Sequence, residues 1–409
     1  MRKQFLCTVA SVVLSAASLS YAAEYEVEEI GTLDGYMGSA AYAINNKGEV
    51  AGELYGSSNF RAMLWQNGVI TPLGTLGGTN SSAYDINNNT QITGFAENSN
   101  DEERAYIWSG GTMSDLGDMP ASDPATPGER LEANKINNSG VIVGYGEVLY
   151  PWHTEMTVPT QRAFKWDGTM HNLGLVPGYE VLPDDTTVDE GTVNGSVATA
   201  INNNGVIIGY AQIEKYEHMF DYIDTIPVAG FVYDDGMMQV LDSPMEYAVM
   251  PLDINDAGQI VGVAVDMTTY ELSVVLWENA TSEMQFIITP ENAYILSLAI
   301  NIDGDIVGTD DDSGTPYLWE KVWDEETSSY VYKYTDLNDL LPAASDWLLY
   351  DVYDINDAGQ MVGGGSFAEG DYMGYVMTPS ITEIAVPEPM SLVLIGLGTI
   401  GIIIKRFRK

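Results

Sequence analysis

Residues 41–52, Ala41-Tyr42-Ala43-Ile44-Asn45-Asn46-Lys47-Gly48-Glu49-Val50-Ala51-Gly52, set a pattern that the chain repeats seven times. In every copy an Ile-Asn pair is followed by a glycine eight residues after the isoleucine. The pairs are Ile44 and Gly52, Ile86 and Gly94, Ile136 and Gly144, Ile201 and Gly209, Ile254 and Gly262, Ile300 and Gly308, and Ile355 and Gly363. Copies spaced 42 to 65 residues apart predict one small structural unit per repeat.

Each repeat divides into four short segments that have the character of β-strands. In the first repeat, strand a ends at Asn45, and strands b, c and d cover 49–52, 61–65 and 70–76. A second glycine between strands a and b, replaced once by Thr90, can take a positive φ in a tight turn. Four-stranded units of this length with glycine and aromatic markers are typical of β-propellers.

We therefore predict an all-β fold, a β-propeller of seven four-stranded blades over residues 23–386. The segment Glu28–Leu33 is similar to strand d of the first repeat, so we expect an N-terminal strand to complete the last blade. Residues 381–386 are the alternative for that position.

The repeat also resembles that of the extracellular HAF-repeat family. The matching pattern is Ala-x-x-Ile-Asn-x-x-Gly-x-x-x-Gly, then Arg-Ala-Phe-x-Trp, then Leu-Gly-x-Leu-Gly-Gly. Arg61-Ala62, Arg104-Ala105, Arg162–Trp166 and Leu73–Gly78 match it best, and the resemblance spans residues 28–378. It implies an exported protein and assigns no biochemical activity.

The N-terminus has the pattern of a secretory signal peptide over residues 1–22. Arg2 and Lys3 supply the basic start, an apolar stretch covers 5–19, and a small residue, Ala22, precedes the expected cleavage point. We therefore expect the rest of the chain to be exported.

The C-terminal residues 387–409 combine Pro387-Glu388-Pro389, an apolar run and a basic cluster that ends at Lys409. The apolar run predicts a short transmembrane helix, and the basic cluster belongs on the cytoplasmic side. The arrangement resembles the PEP-CTERM sorting signal of exopolysaccharide-producing Gram-negative bacteria. That resemblance implies transit through the inner membrane, recognition of Pro387, Glu388 and Pro389 by an exosortase, and delivery to the cell surface or extracellular matrix.

The composition excludes several classes of function. The chain has 59 acidic and 16 basic residues, a formal net charge of −43, which argues against a nucleic-acid partner. Its only cysteine is Cys7, inside the predicted signal peptide, so neither disulfides nor thiol chemistry is expected in the folded part. The negative charge favours solubility, and binding of divalent cations is the alternative interpretation.

Four insertions, 118–132, 146–161, 176–198 and 211–229, belong to loops on one face of blades 2–4. Loops on a rigid scaffold are the usual place for binding residues. Aromatic side chains there could stack on sugar rings and carboxylates could bind hydroxyl groups, although the aromatics could equally fix the loops to the scaffold. The candidates are Trp152, His153, Tyr179, Asp184, Asp185, Tyr216, His218 and Tyr222.

Two acidic turns are candidates for calcium sites. Asp303 and Asp305 precede one strand, and Asp310 and Asp312 follow it, but neither turn has the ligand spacing of a known calcium loop. The repeated asparagine is interpreted as structural, because its side chain can bond the backbone of the turn that it opens. These residues are Asn45, Asn87, Asn137, Asn202, Asn255, Asn301 and Asn356.

The sequence contains no catalytic motif. We expect a non-enzymatic, exported propeller without a cofactor, in which the loops of blades 2–4 bind a matrix glycan or a surface protein. One alternative is a secreted polysaccharide hydrolase or lyase that uses loop carboxylates. The other is a surface protein that calcium stabilises.

Overall fold

The computed structural model describes residues 24–120, 126–153, 156–178, 190–217, 222–291, 293–325, 327–368 and 370–380. Within these ranges the chain forms seven four-stranded antiparallel sheets, arranged as the blades of a β-propeller. The prediction of an all-β fold with seven four-stranded blades is therefore confirmed. The predicted signal peptide and the predicted sorting signal lie outside the described residues.

The strands follow one another in chain order as a, b, c and d of successive blades. Blade 1 contains β2 (Gly38–Ile44), β3 (Val50–Tyr55), β4 (Phe60–Gln66) and β5 (Val69–Pro72). Blade 2 contains β6 (Gly77–Ile86), β7 (Ile92–Asn98), β8 (Glu103–Ser109) and β9 (Thr112–Asp115). Blade 3 contains β10 (Thr126–Ile136), β11 (Ile142–His153), β12 (Met156–Trp166) and β13 (Met170–Gly174). Blade 4 contains β14 (Glu190–Ile201), β15 (Ile207–Glu217), β16 (Tyr222–Asp234) and β17 (Met237–Val240).

The remaining blades vary more in their outer strand. Blade 5 contains β18 (Tyr247–Ile254), β19 (Ile260–Asp266), β20 (Leu272–Trp277) and β21 (Gln285–Phe286). Blade 6 contains β22 (Ile295–Ile300), β23 (Ile306–Asp310), β24 (Thr315–Asp324) and β25 (Ser329–Asp336). Blade 7 contains β26 (Trp347–Ile355), β27 (Met361–Phe367), β28 (Tyr372–Ser380) and, as strand d, β1 (Glu24–Glu29). A short 3-10 helix, Leu337–Leu340, joins blades 6 and 7.

No helix among the residues described here has both the length and the apolar character needed to cross a membrane.

An N-terminal strand does complete the last blade, but it begins earlier than the sequence suggested. Glu24–Glu29, rather than 28–33, pairs antiparallel with β28 of blade 7. The alternative segment, 381–386, lies outside the described residues. The first and last strands of the chain are therefore neighbours in one sheet, and this joins the ends of the ring.

The hydrophobic core is divided among the interfaces between blades. Seven apolar clusters are present in the described structure, and each contains residues from two neighbouring blades. The cluster between blades 1 and 2, for example, contains Ala43, Leu64, Ile86 and Trp108. Each blade is thus stabilised by packing against its neighbours, since both faces of its sheet lose contact with water.

The propeller has two distinct faces. The turns between strands a and b lie on one face, which we call the asparagine face because the repeated asparagines open these turns. The turns between strands b and c lie on the opposite face, which we call the hairpin face. There β11–β12 of blade 3 and β15–β16 of blade 4 continue well beyond the neighbouring blades.

This continuation corrects the interpretation of the insertions as loops. Much of 146–161 and 211–229 is paired β-hairpin, with register pairs as far out as His153 with Met156 and Glu217 with Tyr222. The later part of 118–132 and of 176–198 belongs to strands β10 and β14. The insertions thus extend existing strands, in which the backbone groups are already paired.

Candidate binding site at the propeller axis

A β-bulge interrupts strand a at one equivalent position in six of the seven blades. The residue two positions before the repeated isoleucine has no register partner, so the pairing steps over it. The bulged residues are Tyr42, Tyr84, Asn134, Thr199, Leu252 and Tyr353. In blade 6 the irregularity lies earlier in the strand, between Ile295 and Ser297, and Leu298 pairs with Gly308 in regular register. Bulges redirect a side chain, and the bulged residues of blades 1, 2 and 7 contact one another across the blade boundaries.

The repeated glycine of strand b makes room for this bulge. In blade 1, a Cβ atom on Gly52 would overlap the carbonyl oxygen of Ala40 in strand a. The equivalent overlap occurs at Gly94 with Ser82 and at Gly363 with Asp351. The glycine eight residues after each isoleucine is therefore required by the close approach of the two strands.

Three bulged tyrosines from consecutive blades lie in contact near the axis. The ring of Tyr42 in blade 1 is 5.4 Å from that of Tyr353 in blade 7 and 6.5 Å from that of Tyr84 in blade 2, measured between centroids. The interplanar angles of 80° and 65° are edge-to-face arrangements, which aromatic rings prefer. All three side chains are half-buried. Blades 7, 1 and 2 thus form an aromatic wall on one side of the centre.

Carboxylates lie beside this aromatic wall. Glu53 lies close to Tyr42, and Asp351 lies close to Tyr353. Burial, together with these carboxylates, raises the pKa of Tyr353 to about 12 and raises the pKa of Tyr42 as well. Both hydroxyl groups therefore stay protonated at neutral pH. Burial also raises the pKa of Glu53, partly offset by its interactions with Ser82 and Tyr42.

The carboxylate of Asp351 is also held from strand c. Its Oδ2 atom accepts a hydrogen bond of 2.8 Å from the hydroxyl of Tyr372, whose ring stacks on Tyr350. The Tyr375 hydroxyl donates to the backbone carbonyl of Asp351 at 2.8 Å. Three tyrosines, Tyr353, Tyr372 and Tyr375, thus lie close to Asp351. The pKa of Tyr372 is raised by burial and by its tyrosine and carboxylate neighbours.

The rest of the centre is less aromatic. Asn134 donates a hydrogen bond from its Nδ2 atom to the carbonyl of Ala198, and Thr199 donates from its hydroxyl to the carbonyl of Pro251, both at 2.8 Å. Leu252 packs against the apolar cluster between blades 5 and 6. We call Tyr42, Tyr84, Asn134, Thr199, Leu252 and Tyr353 together the bulge ring. Its members carry aromatic, amide, hydroxyl and aliphatic side chains at equivalent positions in six blades.

The asparagine face closes the other end of the axis with a hydrogen-bonded ring. The Nδ2 atom of each repeated asparagine donates to the backbone carbonyl of the asparagine in the next blade, at 2.8–3.2 Å, in six of the seven cases. The Oδ1 atom accepts backbone N–H bonds inside its own turn; Asn87, for example, accepts from Asn89 and Gln91. The asparagines thus stabilise the turn and also connect the blades.

Beneath this ring lies a cavity of about 160 Å³ whose floor holds buried charges. Lys135, Asp85 and Asp253 line it, and the Nζ atom of Lys135 is 3.7 Å from Asp85. Asp354 also lies close enough to interact with Lys135. Burial alone would lower the pKa of Lys135, but the three carboxylates raise it overall. All four residues occupy the position directly before the repeated isoleucine. Each carboxylate accepts a backbone N–H bond from the next blade, at Ile136, Ile300 or Ile44.

The ligand-binding candidates from the sequence lie on the hairpin face or outside the described residues. Trp152 and His153 end β11, Tyr216 lies near the end of β15, and Tyr222 begins β16. The backbone of these four residues is described but their side chains are not. Tyr179, Asp184, Asp185 and His218 lie outside the described residues.

The metal candidates do not come together in one place. Asp303 and Asp305 lie in the a–b turn of blade 6, and Asp310 and Asp312 lie at the opposite end of β23. Burial would raise the pKa of Asp310, but hydrogen bonds from Ser313 and from nearby backbone N–H groups lower it overall. In the part of the chain that the structure describes, no group of three or more His, Cys, Asp or Glu side chains could hold a metal ion.

Comparisons with known proteins assign no activity to this chain. A family described as "Protein of unknown function (DUF3466)" matches residues 104–275, which is less than half of the chain. No curated protein matches the sequence.

Several solved propellers are similar in outline. Virginiamycin B lyase from Staphylococcus aureus is 12% identical with a TM-score of 0.45, over 87% of this chain and 99% of that one. The β-propeller domain of the Trilobed protease from Pyrococcus furiosus is 10% identical with a TM-score of 0.49, over 85% and 95%. YCF48 from Cyanidioschyzon merolae is 11% identical with a TM-score of 0.47, over 87% and 99%. At these values the similarity concerns the fold alone.

The repeat pattern does not by itself predict the bulge ring, although the sequence contains a signal for it. Tyrosine occupies the second position before the repeated isoleucine in three copies, at Tyr42, Tyr84 and Tyr353. In a regular strand that position would point into a blade interface, so the tyrosines were not distinguished from core residues. The bulge changes their direction, and the glycine in the partner strand is the feature that could have indicated it.

Proposed function

We propose that this chain is an exported, non-enzymatic β-propeller that binds a glycan of the cell surface or extracellular matrix at the bulge ring. The observation that supports this most directly is the contact of Tyr42, Tyr84 and Tyr353 at the axis, on three consecutive blades. Half-buried aromatic rings can stack on the apolar faces of sugars, and the carboxylates of Glu53 and Asp351 can accept their hydroxyl groups.

The position of the bulge ring supports binding of an extended ligand. The centre of a propeller is reached from a face, and here the long hairpins of blades 3 and 4 rise from the hairpin face beside it. Both hairpins belong to the sector that supplies Asn134 and Thr199. A chain of sugars that occupies the ring would therefore pass along these hairpins, which carry the aromatic candidates Trp152 and Tyr216.

Binding without catalysis agrees with the chemistry of the described residues at the ring. The hydroxyl groups of Tyr42 and Tyr353 have raised pKa values, so at neutral pH they act as hydrogen-bond donors. Asp351 already accepts a hydrogen bond from Tyr372. These groups suit recognition of hydroxyl groups, which needs fixed donors and acceptors.

The proposal is tested by applying the purified full-length protein to an array of bacterial exopolysaccharide fragments. We expect selective binding that Tyr84→Ala weakens at least tenfold. The matched control is Tyr270→Ala, because Tyr270 is a solvent-exposed tyrosine on the same face outside the bulge ring. Thermal unfolding of each variant separates loss of binding from loss of the fold.

Three outcomes would overturn the proposal in different ways. Absence of binding to every fragment would exclude a glycan ligand. Equal losses of binding affinity for Tyr84→Ala and Tyr270→Ala would show that the glycan does not bind at the bulge ring. New reducing ends or unsaturated sugars after incubation would show a hydrolase or lyase instead of a binding protein.

A further inference from the structure

Unlike Glu103, Glu132 and Asp85, the bulge-ring carboxylates of Glu53 and Asp351 form no ion pair with a basic side chain among the described residues. Glu103 and Glu132 share Arg130, and Asp85 has Lys135. Among the described residues, no lysine or arginine forms an ion pair with Glu53 or Asp351. Both carboxylates are half-buried, where an unpaired negative charge is costly. A positive group from outside the chain would compensate this cost.

The aromatic wall favours the same kind of group. Tyr42 makes a corner with Tyr353 and another with Tyr84, because each pair of rings is close to perpendicular. A cation within about 6 Å of a tyrosine centroid is attracted by the electron-rich face of the ring. An aromatic corner with a carboxylate at its side is the arrangement that proteins use to recognise ammonium groups.

The net negative charge of the whole chain also favours a positively charged ligand. With 59 acidic and 16 basic residues, the protein attracts cations from solution toward its surface. A polyanionic glycan would instead be repelled from a centre that already holds the unpaired carboxylates of Glu53 and Asp351. Among the polymers of an extracellular matrix, the electrostatics therefore favour one with free amino groups.

We propose that the ligand at the bulge ring is a glycan that carries protonated amines, with an ammonium group between the tyrosine rings and Glu53 or Asp351. This inference rests on the proposed function and specifies the substrate class of the same site. The sugar rings lie against tyrosine, and the ammonium supplies the positive charge that the two carboxylates lack within the chain.

The test compares two oligosaccharides that differ only at nitrogen. The full-length protein is titrated with a glucosamine hexamer and with the same hexamer fully N-acetylated, and binding is measured by calorimetry. We expect the free amine to bind at least tenfold more tightly at neutral pH and low salt. The preference should decrease as salt concentration rises, because ions screen the attraction.

Variants separate the carboxylate from the aromatic surface. Glu53→Gln keeps the shape and removes the charge, so it should reduce the amine preference at least fivefold and change binding of the acetylated hexamer little. Tyr84→Ala should weaken both ligands. Glu325→Gln is the matched control, since it removes one exposed negative charge from the blade 6 hairpin on the asparagine face.

Each result has a definite consequence. Equal affinity for both hexamers, unchanged by Glu53→Gln, would overturn the amine proposal and leave a neutral glycan site standing. Binding of neither hexamer, with a blank array, would overturn the proposed function itself. Equal losses for Glu53→Gln and Glu325→Gln would mean non-specific attraction to the acidic surface. If a lysine hexapeptide binds at the bulge ring and neither sugar hexamer does, the ligand is a basic peptide and the glycan proposal is wrong.

Discussion

Glu24 pairs with Ser380 in the antiparallel ladder between the first and last strands of the chain. Both residues lie on the asparagine face, since β28 ends there. The side chain of Gln360, from the a–b turn of blade 7, donates a hydrogen bond of 3.1 Å to Thr378 in β28. The two ends of the propeller therefore leave the same face side by side, and the hairpin face is on the other side.

This relationship predicts an orientation at the membrane. If the C-terminal residues 387–409 anchor the chain before processing, the asparagine face should lie toward the membrane and the hairpin face toward the outside. Cysteines introduced at Ser139 on the asparagine face and at Thr269 on the hairpin face should react differently with a bulky maleimide. In spheroplasts without the processing protease, we expect Thr269→Cys to react several times faster.

The control for this labelling experiment is the same pair of variants in detergent. Both positions are exposed, so they should react at similar rates once the membrane is removed. Equal rates in spheroplasts as well would contradict the orientation.

Ring closure through β1 predicts that Tyr25 contributes strongly to stability. Its side chain is 8% exposed and belongs to the core cluster between blades 6 and 7, together with Val307 and Tyr375. Tyr25→Ala should lower the free energy of unfolding by about 3 kcal/mol, the usual cost of removing a buried aromatic ring. Glu26→Ala, at an exposed position of the same strand, should change it by less than about 0.5 kcal/mol. Urea unfolding measures both values, and similar losses for both variants would contradict a packing role for Tyr25.

The sequence predicts the blades well because each depends on local information. The Ile-Asn turn and the glycine after it lie within one short stretch, so their repetition directly indicates seven units. The limits of β1 were less predictable, because its pairing partner β28 is about 350 residues away in the chain. Similarity to strand d of the first repeat favours residues 28–33 as the N-terminal strand. In the structure, Tyr25 is instead buried in the interface between blades 6 and 7, and β1 pairs with β28 over Glu24–Glu29.

The candidate site was harder to predict, because it depends on contacts between blades. Tyr42, Tyr84 and Tyr353 are far apart in the sequence, and only closure of the ring brings Tyr353 beside Tyr42. The function of the repeated asparagines was anticipated within the turn. Their donation to the next blade was not, since that bond joins residues 42 or more positions apart, as between Asn45 and Asn87.

Asn87 allows the two functions of the asparagine ring to be separated. Asn87→Ala removes donors to Asn137 and Gln91 and an acceptor for two backbone N–H groups, so we expect a loss of about 3 kcal/mol in unfolding free energy. Asn87→Asp keeps the acceptor and removes only the donors, so its loss should be smaller at low pH than at neutral pH, where a charge is added.

The control for Asn87 is another amide that bonds to the same neighbouring blade. Asn89→Ala removes an exposed donor to the carbonyl of Asn138 and should cost less than about 1 kcal/mol. A loss for Asn89→Ala as large as that for Asn87→Ala would mean that burial of the ring is unimportant.

The charges beneath the asparagine ring are unbalanced, with Lys135 facing Asp85, Asp253 and Asp354. Asp354 accepts a backbone bond of 2.9 Å from Ile44, so it lies in the interface that closes the ring between blades 7 and 1. Burial raises the pKa of Asp354 to about 7; Lys135 opposes this shift, and the other two carboxylates add to it. Burial likewise raises the pKa of Asp253.

These shifts predict that the fold is more stable at pH 5 than at pH 8. A carboxyl whose pKa is higher in the folded state than in the unfolded state binds its proton more tightly when folded. Its contribution is therefore full below about pH 4 and is lost as the pH rises through 7. For Asp354 the difference between pH 5 and pH 8 should be about 2–3 kcal/mol of unfolding free energy. Asp354→Asn should remove most of this difference, because the amide carbonyl can still accept from Ile44 and carries no charge.

Lys135→Met provides the opposite change at the same cavity. Without the ammonium group, Asp85, Asp253 and Asp354 face one another with no compensating charge. The variant should therefore be strongly destabilised at pH 8. It should recover part of its stability at pH 5, because the carboxylates take up protons there. Urea unfolding at both pH values measures this recovery. Glu325→Gln, which alters an exposed charge, should leave the pH dependence of the wild type unchanged. If Lys135→Met loses the same stability at both pH values, the lysine acts through packing of its alkyl chain, and the charge imbalance does not control the stability of the ring.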